Sequence, residues 1–182
     1  MTLKDKLPQG GSGKGRVSEG SHPARIVQII KLGTQEDEYK GEKKINRQLW
    51  ITYEVPEETL TVDGEEKPRW ISHRVNELGG EKAKLTTIIT AAEAHGSVED
   101  YSDLLGKPVT LAVGTTSGGN AKVTSISAVP KSFAKAIPEL ANASAFWDID
   151  EPDMEFYAGL PDFLKEMIQA APEFGGESNP FK

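Results

Sequence analysis

The sequence predicts a mainly β fold: a five-stranded barrel with one helix between strands three and four, and an acidic C-terminal tail. Three observations predict it. Five segments rich in β-branched residues recur between turn signals. A single stretch of the body carries helical periodicity, and it follows the third segment. The acidity is gathered beyond residue 135. In a chain of 182 residues this is one ordinary domain with appendages: a leader over 1–20, a body over 21–135 and a tail over 136–182.

The first strand is read from Ala24 to Leu32, ending at Gly33, with a bulge where its alternation blurs. A charged loop, TQEDEYKGEKKIN, leads to a second strand from Arg47 to Val55, stopped by Pro56. Asp63-Gly64 in the next segment is a hairpin signal, and Arg69 to Asn76 alternates again as the third strand. Leu85, Ile88, Ile89 and Ala92 form one helical stripe, with Gly96 beyond it as a stop. Val109 to Val113, a Ser117-Gly118-Gly119-Asn120 turn, and Ala121 to Val129 make the closing hairpin. Three strands, a helix and two strands are the order of the OB barrel; a generic β-barrel or sandwich shares parts of it.

The net charge of −7 is unevenly placed. Residues 1–135 hold 19 basic against 18 acidic residues, whereas residues 136–182 hold 2 against 10. Such a split suggests an acidic appendage on a body that binds an anion. In the tail, Leu160, Phe163, Leu164, Met167 and Ile168 recur at helical spacing behind Pro161, a helix expected near 160–169.

Several function classes are excluded or disfavoured. With no cysteine, disulfides, thiolate zinc sites and thiol nucleophiles are ruled out. His22, His73 and His95 lack metal-ligand spacing, and no cofactor or metal site is expected. QGGSGKGR, over Gln9 to Arg16, resembles a phosphate loop only superficially. Pro8 stands where its first glycine belongs and Gly15 where its hydroxyl belongs, so the run reads as a flexible leader. Asp148, Asp150, Glu151, Asp153 and Glu155 lack the glycine and closing glutamate of a calcium loop and are interrupted by Pro152; they read as an acidic linker. No apolar run reaches membrane-spanning length and no signal peptide is visible, so a cytosolic setting is expected.

The face taken by the tryptophans carries the functional reading. Leu49, Ile51, Tyr53 and Val55 share the core side of the second strand, which puts Trp50 on the other face with Gln48, Thr52 and Glu54. Ile71, His73 and Val75 share the core side of the third, which puts Trp70 with Ser72, Arg74 and Asn76. On an OB barrel this outer face is where oligonucleotides lie, and indoles there stack on bases without reading sequence. Arg74, Arg47, Lys40, Lys43 and Lys44 would meet phosphates, with Tyr39 a further stacking candidate. Lys82, Lys84 and Lys122 complete a candidate basic track. The competing reading has Trp50 and Trp70 covered by the C-terminal helix or by a second subunit of a homo-oligomer. His73 is expected at the core edge with a hydrogen-bond partner.

SHPARIVQIIKLGTQ, EYKGEKK, WITYEVP, LLGKPVTLAV and AKVTSISAVPK, in that order, resemble small phage-encoded single-stranded DNA-binding proteins of the OB type over residues 20–135. The resemblance implies a non-enzymatic coat for single strands in replication, recombination and repair, in the host cytoplasm. It also implies a tail that recruits replication or recombination proteins and competes with DNA. Asp148, Asp150, Glu151, Asp153, Phe163, Leu164 and Phe181 are the partner-contact candidates on that basis. Asn179-Pro180-Phe181-Lys182 departs from the family's terminal Pro-Phe, because Lys182 takes the carboxylate away from the phenylalanine. An OB-type protein-interaction module and an RNA-binding barrel are the alternatives, since nothing in the sequence reports on a 2′-hydroxyl.

Overall fold

The computed structural model describes residues 16–174. Its elements are β1 (Gly20–Tyr39), β2 (Glu42–Val62), β3 (Glu65–Asn76), α1 (Lys84–Glu93), a 3-10 turn (Tyr101–Leu104), β4 (Pro108–Thr115), β5 (Ala121–Ser127), α2 (Lys131–Ala134), β6 (Ala145–Trp147), α3 (Met154–Ala158) and α4 (Asp162–Ala170). The fold is mainly β and the body strands fall in the expected order, with α1 between the third and fourth. The antiparallel sheet runs β3-β2-β1-β4-β5, and β6 joins β1 in parallel. The ladder does not close: β3 and β5 are its edges, and α1 packs against both.

The first three strands are longer than their apolar runs. The charged segment expected as a loop instead extends β1 and β2 into a two-stranded arm. Asp37 faces Lys44 and Glu38 faces Lys43 across it, and such opposite-charge pairs stabilise a hairpin that has no apolar face. Lys40 and Gly41 turn the chain at φ +52° and +79°, and Asp63 and Gly64 do the same between β2 and β3.

Two apolar clusters flank the sheet. The first lies between one face of the sheet and α1. It contains Leu49, Ile51, Tyr53, Val55, Ile71 and Val75 from the alternating strands, with Leu85, Ile88 and Ala92 from the helix. Val17, placed by the sequence in the leader, is buried here as well, whereas the glycine-rich run over residues 9–15 lies outside the described residues. The second cluster lies on the outer face, where Ile30, Leu32 and the half-buried Trp50 meet Trp147, Ile149, Tyr157, Leu160, Leu164, Ile168 and Phe174.

β1 serves both. Ile26 and Ile29 point into the first cluster, Ile30 and Leu32 into the second. That is why its alternation blurs: a strand buried on both faces reads as a continuous apolar run. Its register slips at Ile26/Gln28 and Lys31/Gly33. Gly20–Arg25 pairs with β4, and beyond the first bulge Gln28–Ile30 takes β6 on the same edge. Gly33, at φ +70°, is where the C-terminal segment presses closest; a Cβ there would stand 2.9–3.1 Å from Ile149, Glu173 and Ala171.

Candidate nucleic-acid interface

The outer face of β2 and β3 is built as the alternation predicts. Register sets Trp50 opposite Arg74, Thr52 opposite Ser72 and Glu54 opposite Trp70. The two indoles meet different fates. Trp50 is half-buried, with Phe163 of α4 edge-on at 5.4 Å between ring centroids. The C-terminal helix, one of the two coverings weighed from sequence, lies over Trp50 in this way. Trp70 remains 39% exposed, and its Nε1–H donates to Glu54 at 3.2 Å. Glu54, only 3% exposed, also accepts from Ala141 N and Asn142 Nδ2, both at 2.7 Å. A buried carboxylate with three donors, and no cation among the described residues, fastens the chain after α2 across this end of the sheet.

The basic candidates divide into tied and untied groups. Arg47 lies 3.4 Å from Glu77, 3.1 Å from Asp150 and 3.0 Å from Glu173. Burial works against its charge, but Glu77 and Asp150 outweigh that and hold its pKa above the usual range. Arg74 meets Asp37 at 3.1 Å. Lys43 and Lys44 pair with Glu36 and Glu42 on the exposed arm, at 3.0 and 3.5 Å. Lys40 at the arm's tip sits over the exposed Tyr39 ring, 5.4 Å from its centroid.

Lys82, Lys84 and Lys122 form no ion pair with any described residue. Lys84 lines a cleft with Arg74, Asp37 and Gln48, and it lines the next cleft with Lys82, His73, Thr124 and Ser125. Arg74, Lys84 and Lys82 therefore follow one another along the β3 edge where α1 begins. Lys122 stands further on, exposed on β5 opposite Gly114. His73 accepts or donates a 2.8 Å hydrogen bond with the Tyr53 hydroxyl, while its Nδ1 is buried and unpartnered. Burial, with help from Lys84, lowers its pKa to about 4.

The tail candidates also separate. Asp148 and Asp150 lie 3.6 and 3.5 Å from Lys31, a β1 residue that carried no signal of its own in sequence. Asp153 caps α3, accepting from Glu155 N and Phe156 N. Glu151 is exposed. Phe163 is 49% exposed despite its contact with Trp50, whereas Leu164 is buried in the second cluster and not available to a partner in this arrangement. Phe181 lies outside the described residues. Sequence reasoning missed Lys31, Glu54, Glu77 and Glu173; a carboxylate in mid-strand beside two tryptophans was the one available hint. Among the described residues no helix is long and apolar enough to cross a membrane.

Compared with known proteins, the chain matches no family model, no curated protein and no solved structure.

Proposed function

We propose that this chain is a non-enzymatic, sequence-tolerant single-stranded DNA-binding protein acting in phage replication, recombination and repair. Three strands, a helix and two strands, with α1 packed against both edge strands, support an OB-type reading of the open sheet. One observation carries the reading. Trp70 keeps an open face on β3, and Arg74, Lys84 and Lys82 succeed it along the same edge, the two lysines unpaired among the described residues. A stacking ring followed by cations is how a protein tracks a single strand. The arm, with Tyr39 and Lys40 at its tip, extends the surface a strand can reach.

A second reading has its own observation. Trp50 and Arg47 are engaged by the C-terminal segment, so part of this face already binds polypeptide. An interaction module for replication or recombination proteins, recruiting through Phe163 and the acidic residues around it, would use the remainder in the same way. Intrinsic tryptophan fluorescence titrated with single-stranded DNA, duplex DNA and RNA at several salt concentrations separates the two. A nucleic-acid binder gives an affinity that falls with salt by about −0.7 in log K per log salt for each phosphate contact. No response to any strand, or one indifferent to salt, favours the protein module.

A further inference from the structure

One stretch of the outer face is polar, recessed and not filled by the second cluster. Register lines up Gln28, Thr52 and Ser72 across β1, β2 and β3. This row of one amide and two hydroxyls is flanked by Trp50 on one side and Trp70 on the other. The Thr52 and Ser72 hydroxyls share one hydrogen bond at 2.8 Å. The Gln28 amide, partly buried, forms no hydrogen bond with any described residue. α3 and the start of α4 cross opposite the row, so Phe156 and Phe163, with Leu160, Pro161 and Leu164 between and behind them, form the facing wall and Glu155 lines the same groove of about 500 Å³.

The lining restricts what can occupy this groove. Aromatic walls suit a flat ring. An aliphatic side chain would leave the Gln28 amide unpaired, and an unmade hydrogen bond in a covered site is costly. A phosphate would be repelled by the Glu155 carboxylate. A nucleobase meets every requirement, because its faces stack and its edge carries both donors and acceptors.

We propose that the groove takes one unstacked base of the bound strand and selects a base with an exocyclic amino group, cytosine over thymine or uracil. Glu155 accepts from that amino group, and Gln28, with donors and an acceptor, pairs the rest of the edge. Thymine and uracil turn a carbonyl oxygen towards the carboxylate, so two acceptors face each other. Arg74, opposite Trp50, stands beside the groove for the adjoining phosphate. The inference rests on the single-strand reading and adds one position of base preference to otherwise tolerant binding.

Equal-length dC, dT and dU oligonucleotides competing for the full-length protein at one salt concentration test it. Cytosine and uracil differ at the amino position while stacking similarly. Binding of dC about tenfold tighter than dU is expected, with Glu155→Gln and, separately, Gln28→Leu each bringing the ratio towards one. The ratio is insensitive to the charge that Glu155→Gln removes from the strand's path. Should Gln28→Leu fail to fold, Glu155→Gln decides alone, since Glu155 is exposed. Equal affinity for dC and dU in the parent protein overturns the base pocket and leaves single-strand binding standing. A preference that survives Glu155→Gln overturns it equally. No binding to any strand overturns both readings together.

Discussion

Gly33→Ala tests how firmly the C-terminal segment is seated on the sheet. At φ +70° any residue with a Cβ costs about 1–2 kcal/mol relative to glycine. The new methyl would also stand 2.9 Å from Ile149 Cδ1, 3.0 Å from Glu173 Oε2 and 3.1 Å from Ala171 Cβ. Ile149 and Ala171 are buried, so relief requires shifting packed atoms, which costs about 1–3 kcal/mol more. Gly41→Ala supplies the reference: φ is +79°, with nothing within 4 Å of the added Cβ, so only the backbone cost remains. Urea unfolding followed by far-UV circular dichroism measures both. With m near 2 kcal/mol/M, Gly33→Ala moves the midpoint by roughly 1–2.5 M and Gly41→Ala by roughly 0.5–1 M. Equal shifts for the two variants would refute the close seating of residues 149–173 on β1.

Four further outcomes follow from the same contacts. Trp70→Ala weakens single-strand binding by about 1–3 kcal/mol without loss of fold, measured by fluorescence anisotropy of a labelled oligonucleotide; unchanged affinity assigns the exposed indole to a protein contact. Glu54→Ala strands three donors and lowers stability by about 1–3 kcal/mol, read from the urea midpoint. His73 binds a proton at about 4 when folded against 6.5 in its ordinary state, so the unfolded chain holds more protons between those values. Stability therefore falls as pH drops from 6.5 towards 4, and His73→Gln flattens that dependence in midpoints taken at pH 7 and 5. Truncation after Lys135 uncovers Ile30 and Leu32 and destabilises the sheet; a truncated chain with an unchanged melting temperature would show that the second cluster contributes nothing to the body.

How much of this was legible depends on how many faces of each element are buried. β2 was readable because Leu49, Ile51, Tyr53 and Val55 alternate with residues of different chemistry, and the positions of Trp50 and Trp70 follow from that period alone. β1 was readable as a bulged strand but not in its faces, because Ile29 and Ile30 serve opposite clusters and no alternation survives. The stripe of α4 was visible, but a stripe specifies that a face must be covered and not what covers it. Charge was the least legible property. Arg47 reads as a phosphate ligand by its place before a tryptophan strand, yet Asp150 and Glu173 reach it from more than a hundred residues away. Such pairings are set by tertiary packing and leave no local trace. The charged arm was read as a loop because hydrophobic periodicity, the main strand signal, is absent where cross-strand charges hold two strands together.

The placement of the second cluster has a consequence for the order in which the protein can be made. Its β1 half, Ile30 and Leu32, is synthesised early, whereas its other half begins at Trp147 and ends at Phe174. At a translation rate of about 5–20 residues per second, the apolar outer face stays bare for several seconds after β1 leaves the ribosome. Throughout that interval the nascent sheet displays Ile30, Leu32 and Trp50 to solvent, beside the β1 edge that β6 will occupy. The window in which this chain is prone to aggregation or to chaperone capture is therefore set by the distance from β1 to the last thirty described residues.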